Sequence, residues 1–235
     1  MNLKEIRKQL VEISGRSDLV KSLTNYEDNG ADWYIRAASK ELDRERFQTG
    51  QGIGVSVKDL DTGEWLVKVD LIRSVLAVRV VIGDKRKGLT RLNRAELYST
   101  FPNLGYDVDS GVPLYYFPTN LRYIPAESAP APFDLGSDNS ADFDGIIVLA
   151  PPDQDIQIEV EGHFYSAYLQ DDDDNNFWTI AEPDVLVMGA MRELERSYRN
   201  MTGAREWTAH IEQKLLGIDM DVVEQGSAHI GKMRG

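Results

Sequence analysis

The apolar residues of this chain change period twice, and that change restricts the fold more than any single motif. Leu3, Ile6, Leu10 and Ile13 recur at intervals of three, four and three, which is one face of a helix. Lys4, Glu5, Lys8 and Glu12 fall opposite, and Ser14-Gly15 supplies a left-handed stop. A polar stretch from Thr24 to Gly30 precedes a second helix, expected from Ala31 to about Phe47. Asp32 stands in its first turn, at the positive end of the dipole. Tyr34, Ala38 and Leu42 are its expected inner stripe, with Trp33, Ala37 and Phe47 alongside.

At Gly50 the period becomes two. Val55 and Val57 alternate with Ser56 and Lys58, Asp61-Thr62-Gly63 marks a turn, and Trp65, Val67 and Val69 alternate after it. A hairpin of two half-buried strands is the expectation. Leu71 to Ile82 is more densely apolar, as in a central strand covered on both faces. The basic stretch from Gly83 to Gly88 lacks phosphate-loop spacing and is expected to be a solvated hairpin tip. Asn93 and Glu96 have capping-box spacing for a short helix ended by Phe101-Pro102. Tyr106 to Pro125 is aromatic and strand-like, and its prolines suit edge strands. Residues 126–144, rich in Ala, Pro, Ser and Asp, are expected to be a loop and are the best candidate for a mobile insertion or partner-contacting arm. Strands are expected again at Gly145–Leu149 and Ile156–Tyr168.

The helical period then returns. Pro183 suits a first helical position, Val187, Met191, Leu194 and Tyr198 follow as a stripe, and Gly203 is the expected end. Trp207, Ile211, Leu215, Ile218 and Val222 make the buried face of a last helix. The fold class expected is α+β. It would be an antiparallel helical bundle formed by the N- and C-terminal helices, with a β-rich central insertion. The expected boundaries place residues 1–49 and 181–224 in the bundle and residues 50–180, with one short helix, in the insertion. Residues 225–235 would be a flexible C-terminal tail, since no period survives there.

Composition narrows the chemistry. The 235 residues include no cysteine, which excludes disulfides, thiolate metal sites and cysteine nucleophiles. His163, His210 and His229 are scattered, without the i, i+4 spacing of a helical metal pair. The formal charge is -13, from 39 acidic and 26 basic residues. Such a balance disfavours a sequence-reading nucleic-acid module, which needs basic residues against phosphates; it suits either plain solubility or a wall that DNA slides past, and composition alone does not choose between them. No apolar run is long enough to cross a membrane, and the first ten residues lack the apolar core of a signal peptide.

No nucleophile elbow is present, and the glycines of Gly50-Gln51-Gly52-Ile53-Gly54 are wrongly spaced for a dinucleotide loop. Asp171, Asp173, Asn175 and Glu182 do stand at positions one, three, five and twelve of a calcium loop. Asn176 replaces the usual glycine at position six, and Pro183 directly follows Glu182, so a solvated acidic loop is the expectation. Trp65, Tyr115, Tyr116 and Tyr123 could form a sugar-binding platform, although cross-strand packing is the commoner use of such residues. No catalytic residue and no cofactor are expected.

Two stretches carry a resemblance. One is Ala31-Asp32-Trp33-Tyr34-Ile35-Arg36-Ala37-Ala38-Ser39-Lys40-Glu41-Leu42-Asp43-Arg44. The other runs from Asn176-Phe177-Trp178 through Pro183-Asp184 and Glu195-Arg196-Ser197-Tyr198-Arg199-Asn200 to Glu206-Trp207 and Ile218-Asp219-Met220-Asp221-Val222-Val223-Glu224. Both resemble the head-to-tail adaptor (connector) proteins of tailed phages, over the first 45 residues and the last 60 or so. The resemblance implies a structural virion protein without catalytic residues, located in the neck and made in the cytoplasm of a bacterial host. It implies a dodecameric ring of this chain beneath the portal protein, contacting tail or nozzle proteins and letting viral DNA through without specific binding. It also implies that the C-terminal tail, with Ser227, His229, Ile230 and Met233, engages the portal. The alternatives are another structural protein of the neck or tail, or a carbohydrate-binding or hydrolytic β-module.

Overall fold

In a computed structural model, the described residues are 1–45, 52–83, 85–102, 109–119 and 145–228, with the backbone alone described at 119 and 219–228. The class is α+β, with helices and two sheets. The chain divides into two compact units, Met1–Gln51 with Ser166–Gly235, and Gly52–Tyr165. The second boundary thus lies fifteen residues earlier than sequence periodicity places it. Residues 166–180 belong with the helices because hydrogen bonds tie them there: Arg36 Nε donates to the Leu169 carbonyl and Trp178 Nε1 to Asp43.

The first unit contains α1 (Leu3–Ser14), α2 (Ala31–Glu45), α4 (Phe177–Ala181), α5 (Pro183–Ser197) and α6 (Met201–Ala228). Asn2 caps α1 through a reciprocal capping box with Glu5, and Gly15 closes it in the left-handed region at φ 68°. One apolar cluster draws on Leu3, Ile6 and Leu10 of α1, Ile35, Ala38 and Leu42 of α2, Val185 to Leu194 of α5, and Ile211 of α6. Within it α5 is buried nearly all round, so the dense run Val185-Leu186-Val187-Met188-Gly189-Ala190-Met191 marks the central helix. Gly189 permits this: a Cβ there would lie 3.0 Å from the Ala38 Cβ.

Several helical expectations need correction. Ile13 and Trp33 are exposed, and the inner stripe of α2 is Ala31, Ile35, Ala38 and Leu42 rather than one centred on Tyr34. Phe47 lies outside the described residues. Tyr198 is exposed, because α5 ends at Ser197 and Arg199 turns the chain at φ 61°. Gly203 consequently stands in the first turn of α6 and ends nothing. The helix α6 continues through Ala228, so residues 225–228, expected in a loose tail, are helical. Val222 is helical too, but its side chain is outside the described set.

Among its described residues, the second unit is built from two four-stranded sheets. One has the order β1 (Ile53–Leu60), β8 (Ile156–Phe164), β3 (Ile72–Ile82), β4 (Lys85–Gly88), all antiparallel. The other has the order β2 (Leu66–Lys68), β7 (Gly145–Leu149), β6 (Tyr115–Thr119), β5 (Thr90–Arg91), with β5 and β6 parallel. Leu60, Val78, Val80, Ile158 and Val160 from the first sheet join Val67, Tyr116, Ile146 and Val148 from the second in one core. The other face of the second sheet, with Trp65, Ile147 and Leu149, packs on Leu97 of α3 (Arg94–Thr100).

The turn at Asp61-Thr62-Gly63 therefore joins two sheets and closes no hairpin: β1 pairs with β8 and β2 with β7. Asp155 holds it by accepting from both the backbone N–H and the hydroxyl of Thr62. The strand covered on both faces is β7, buried at every residue, whereas β3 leaves Leu76 exposed at a bulge. Lys85, Arg86 and Lys87 form β4 itself, a short basic edge rather than a tip. The capping box of Asn93 and Glu96 stands as spaced, with both bonds made.

Candidate functional site

The acidic loop 171–174 anchors α1. The Leu3 and Lys4 amides, two of the free N–H groups at the start of that helix, donate to the carbonyls of Asp174 and Asp172. The Asp174 carboxylate accepts from the amides of Gln170 and Asp171 at 2.7 and 2.8 Å, and these bonds hold its pKa below the usual aspartate value. Asp173 accepts from Asn2.

Asp172 reaches further in, to the Arg7 guanidinium at 2.8 Å. Arg7 is 2% exposed and also meets Asp32 through two bonds, Nε at 2.7 Å and Nη2 at 2.9 Å, and the Tyr26 carbonyl. Burial works against its charge, but the bonds and attraction of Asp32 and Asp172 outweigh it and raise its pKa. Asp32, expected only to complement a helix dipole, is thus one half of an ion pair buried on both sides. Sequence reading misses Arg7, although Leu3, Arg7 and Leu10 follow helical spacing on one face.

Of the calcium-loop residues, Asp171 donates its amide to Asp174, Asn175 bonds the Asp173 carbonyl, and Glu182 begins α5. No group of three or more His, Asp or Glu among the described residues could hold a metal ion. Asn176, at position six of that spacing, is buried. It caps α4 and donates to Ser39 and the Ala167 carbonyl.

Trp65 and Tyr116 are buried in the two sheet cores, so they cannot present a sugar platform; Tyr115 packs against the cluster that holds Trp65, with its ring edge-on to Phe101, and Tyr123 lies outside the described residues. His163 is buried against Ser74, its Nδ1 2.9 Å from the hydroxyl. His210 lies beside Trp207 on α6. A cleft of about 460 Å³ is lined by Glu45, Thr208, Glu212, Leu215 and Leu216. Its Glu45 is held 2.7 Å from Nη1 of the buried Arg192, which sequence reading also misses. Among the described residues no histidine lines it to serve as a base beside Thr208.

Among the residues implied for portal contact, Ser227 belongs to the backbone of α6, and His229, Ile230 and Met233 lie outside the described residues. Among the described residues, no helix is long and apolar enough to cross a membrane. Compared with protein-family models and with curated proteins, the chain matches none.

Proposed function

We propose that this chain is a structural virion protein, a head-to-tail adaptor subunit whose ring joins the portal to the tail and forms part of the DNA channel. In this reading the N- and C-terminal helices form an antiparallel bundle around α5, and the β-rich unit is inserted between them. The observation that carries it is α6. At 28 residues it is about 42 Å long, against about 22 Å for the 15-residue α5 beneath it. Its buried anchors up to Ile218 are Ala204, Ile211 and Ile218, with Leu216 exposed. A helix that outruns its support offers its far end to a partner. The charge of -13 supports a channel wall that repels phosphate rather than binding it.

The test is co-sedimentation with purified portal rings. The full chain is expected to pellet with the rings, and a chain ending at Glu224 to remain in the supernatant. Equal behaviour of the two, with neither bound, contradicts the proposal.

A further inference from the structure

The two edges of the β1–β8–β3–β4 sheet differ in kind. The β4 edge is four residues long and carries Lys85, Arg86 and Lys87, all exposed, which is how edges are protected against pairing. The β1 edge is eight residues long, contains no proline, and among the described residues pairs with β8 alone. Ile53, Val55 and Val57 are 46%, 55% and 50% exposed on one of its faces. Beside them on β8 the charges are already matched: Glu161 meets Arg79 at 2.6 Å and Glu159 meets Arg86 at 2.8 Å.

The same three residues also aim their backbone outward. The Phe164 amide donates to the Gly52 carbonyl at 2.8 Å, so the register pairing Ile53 with His163 makes the even-numbered residues of β1 the hydrogen-bonded partners of β8. In an antiparallel ladder the alternate residues then point their N–H and C=O to the free edge. Apolar side chains and free backbone groups coincide at Ile53, Val55 and Val57.

We propose that this edge binds β1 of a second copy of the chain, antiparallel across a two-fold axis at Val55. In that register Ile53 faces Val57 of the other copy, Val55 faces Val55, and each facing pair exchanges both backbone bonds. A two-fold interface must be self-complementary, and this register matches β-branched residues throughout, which favours cross-strand packing. The β4 edge fits less well, since it would bring Arg86 and Gly88 against the apolar face. The inference rests on this sheet alone and stands apart from the head-to-tail reading.

Because the chain has no cysteine, single Val55→Cys and Val57→Cys variants of the full chain report the register under mild oxidation. Across the two-fold axis, the Cα atoms of the Val55→Cys pair would be about 5.5 Å apart. Those of the Val57→Cys pair would be about 14 Å apart, offset by four residues along the strand as well as across it. Val55→Cys is expected to give about tenfold more cross-linked dimer, since a disulfide fails to close beyond about 7 Å. In sedimentation over a concentration series, the wild type should rise toward twice the monomer mass. A folded Val55→Lys, checked by its melting curve, should remain monomeric. Equal cross-linking at both positions, a wild-type mass that never rises, or association unchanged in Val55→Lys overturns the proposal.

Discussion

Arg7 shows how burial decides which half of a charge network matters. Its guanidinium meets two carboxylates at similar distances, but the Asp32 side chain is 6% exposed and that of Asp172 is 46% exposed. Replacing Arg7 by Met leaves the buried Asp32 with only the half-exposed Arg36, 3.7 Å away, as a counter-charge, a loss of about 3–5 kcal/mol. Asp172→Asn removes only the solvated partner and should cost about 0–1 kcal/mol. Urea unfolding of the two variants measures the contrast, and equal losses would place the ion pair's weight elsewhere. Asp174 adds a pH dependence. Its pKa is lowered by the backbone amides of Asp171 and Gln170, so its contribution is complete above the usual aspartate value of about 3.9 and is lost as pH falls through the folded value. The stability gap between wild type and Asp174→Ala should therefore be constant near neutrality and close in acid.

At the scale of elements, the last helix separates docking from display. Ile211 is fully buried and Leu216 is 62% exposed. Ile211→Ala should cost about 2–5 kcal/mol, while Leu216→Ala should fall within about 0.5 kcal/mol of wild type; thermal melts of both settle the face of α6. Local chemistry makes much of this legible. The capping box of α3 and the glycine stop of α1 are decided by a few adjacent residues, and the stripe Leu3, Ile6, Leu10 by one period. The buried charges are less visible because Arg7 and Asp32 look like surface residues until their partners meet. The alternation in β1 is plain in the sequence, but its inward face is not. Val55 and Val57 alternate as a buried set would, yet the core takes Leu60 and the partner residues Ile158 and Val160. Pairing across sheets is a long-range choice that no turn motif encodes, which is why Asp61-Thr62-Gly63 resembles a hairpin and is not one.

At the scale of the whole molecule, two compact units of unlike construction are carried on one chain, the first assembled from both of its ends. The boundary at 165/166 follows from the tether between residues 169–178 and α2, a set of hydrogen bonds rather than a change of period. The residues proposed to contact the portal come from resemblance alone, since the sequence around Ser227 has no period and His229, Ile230 and Met233 lie outside the described residues. The proposed role places every copy at one location. Electron cryomicroscopy of the virion neck tests this most directly. Ring density between portal and tail that accepts α1, α2, α5 and α6, with α6 directed at the portal, is the predicted result. Mature virions whose neck lacks this chain would contradict it.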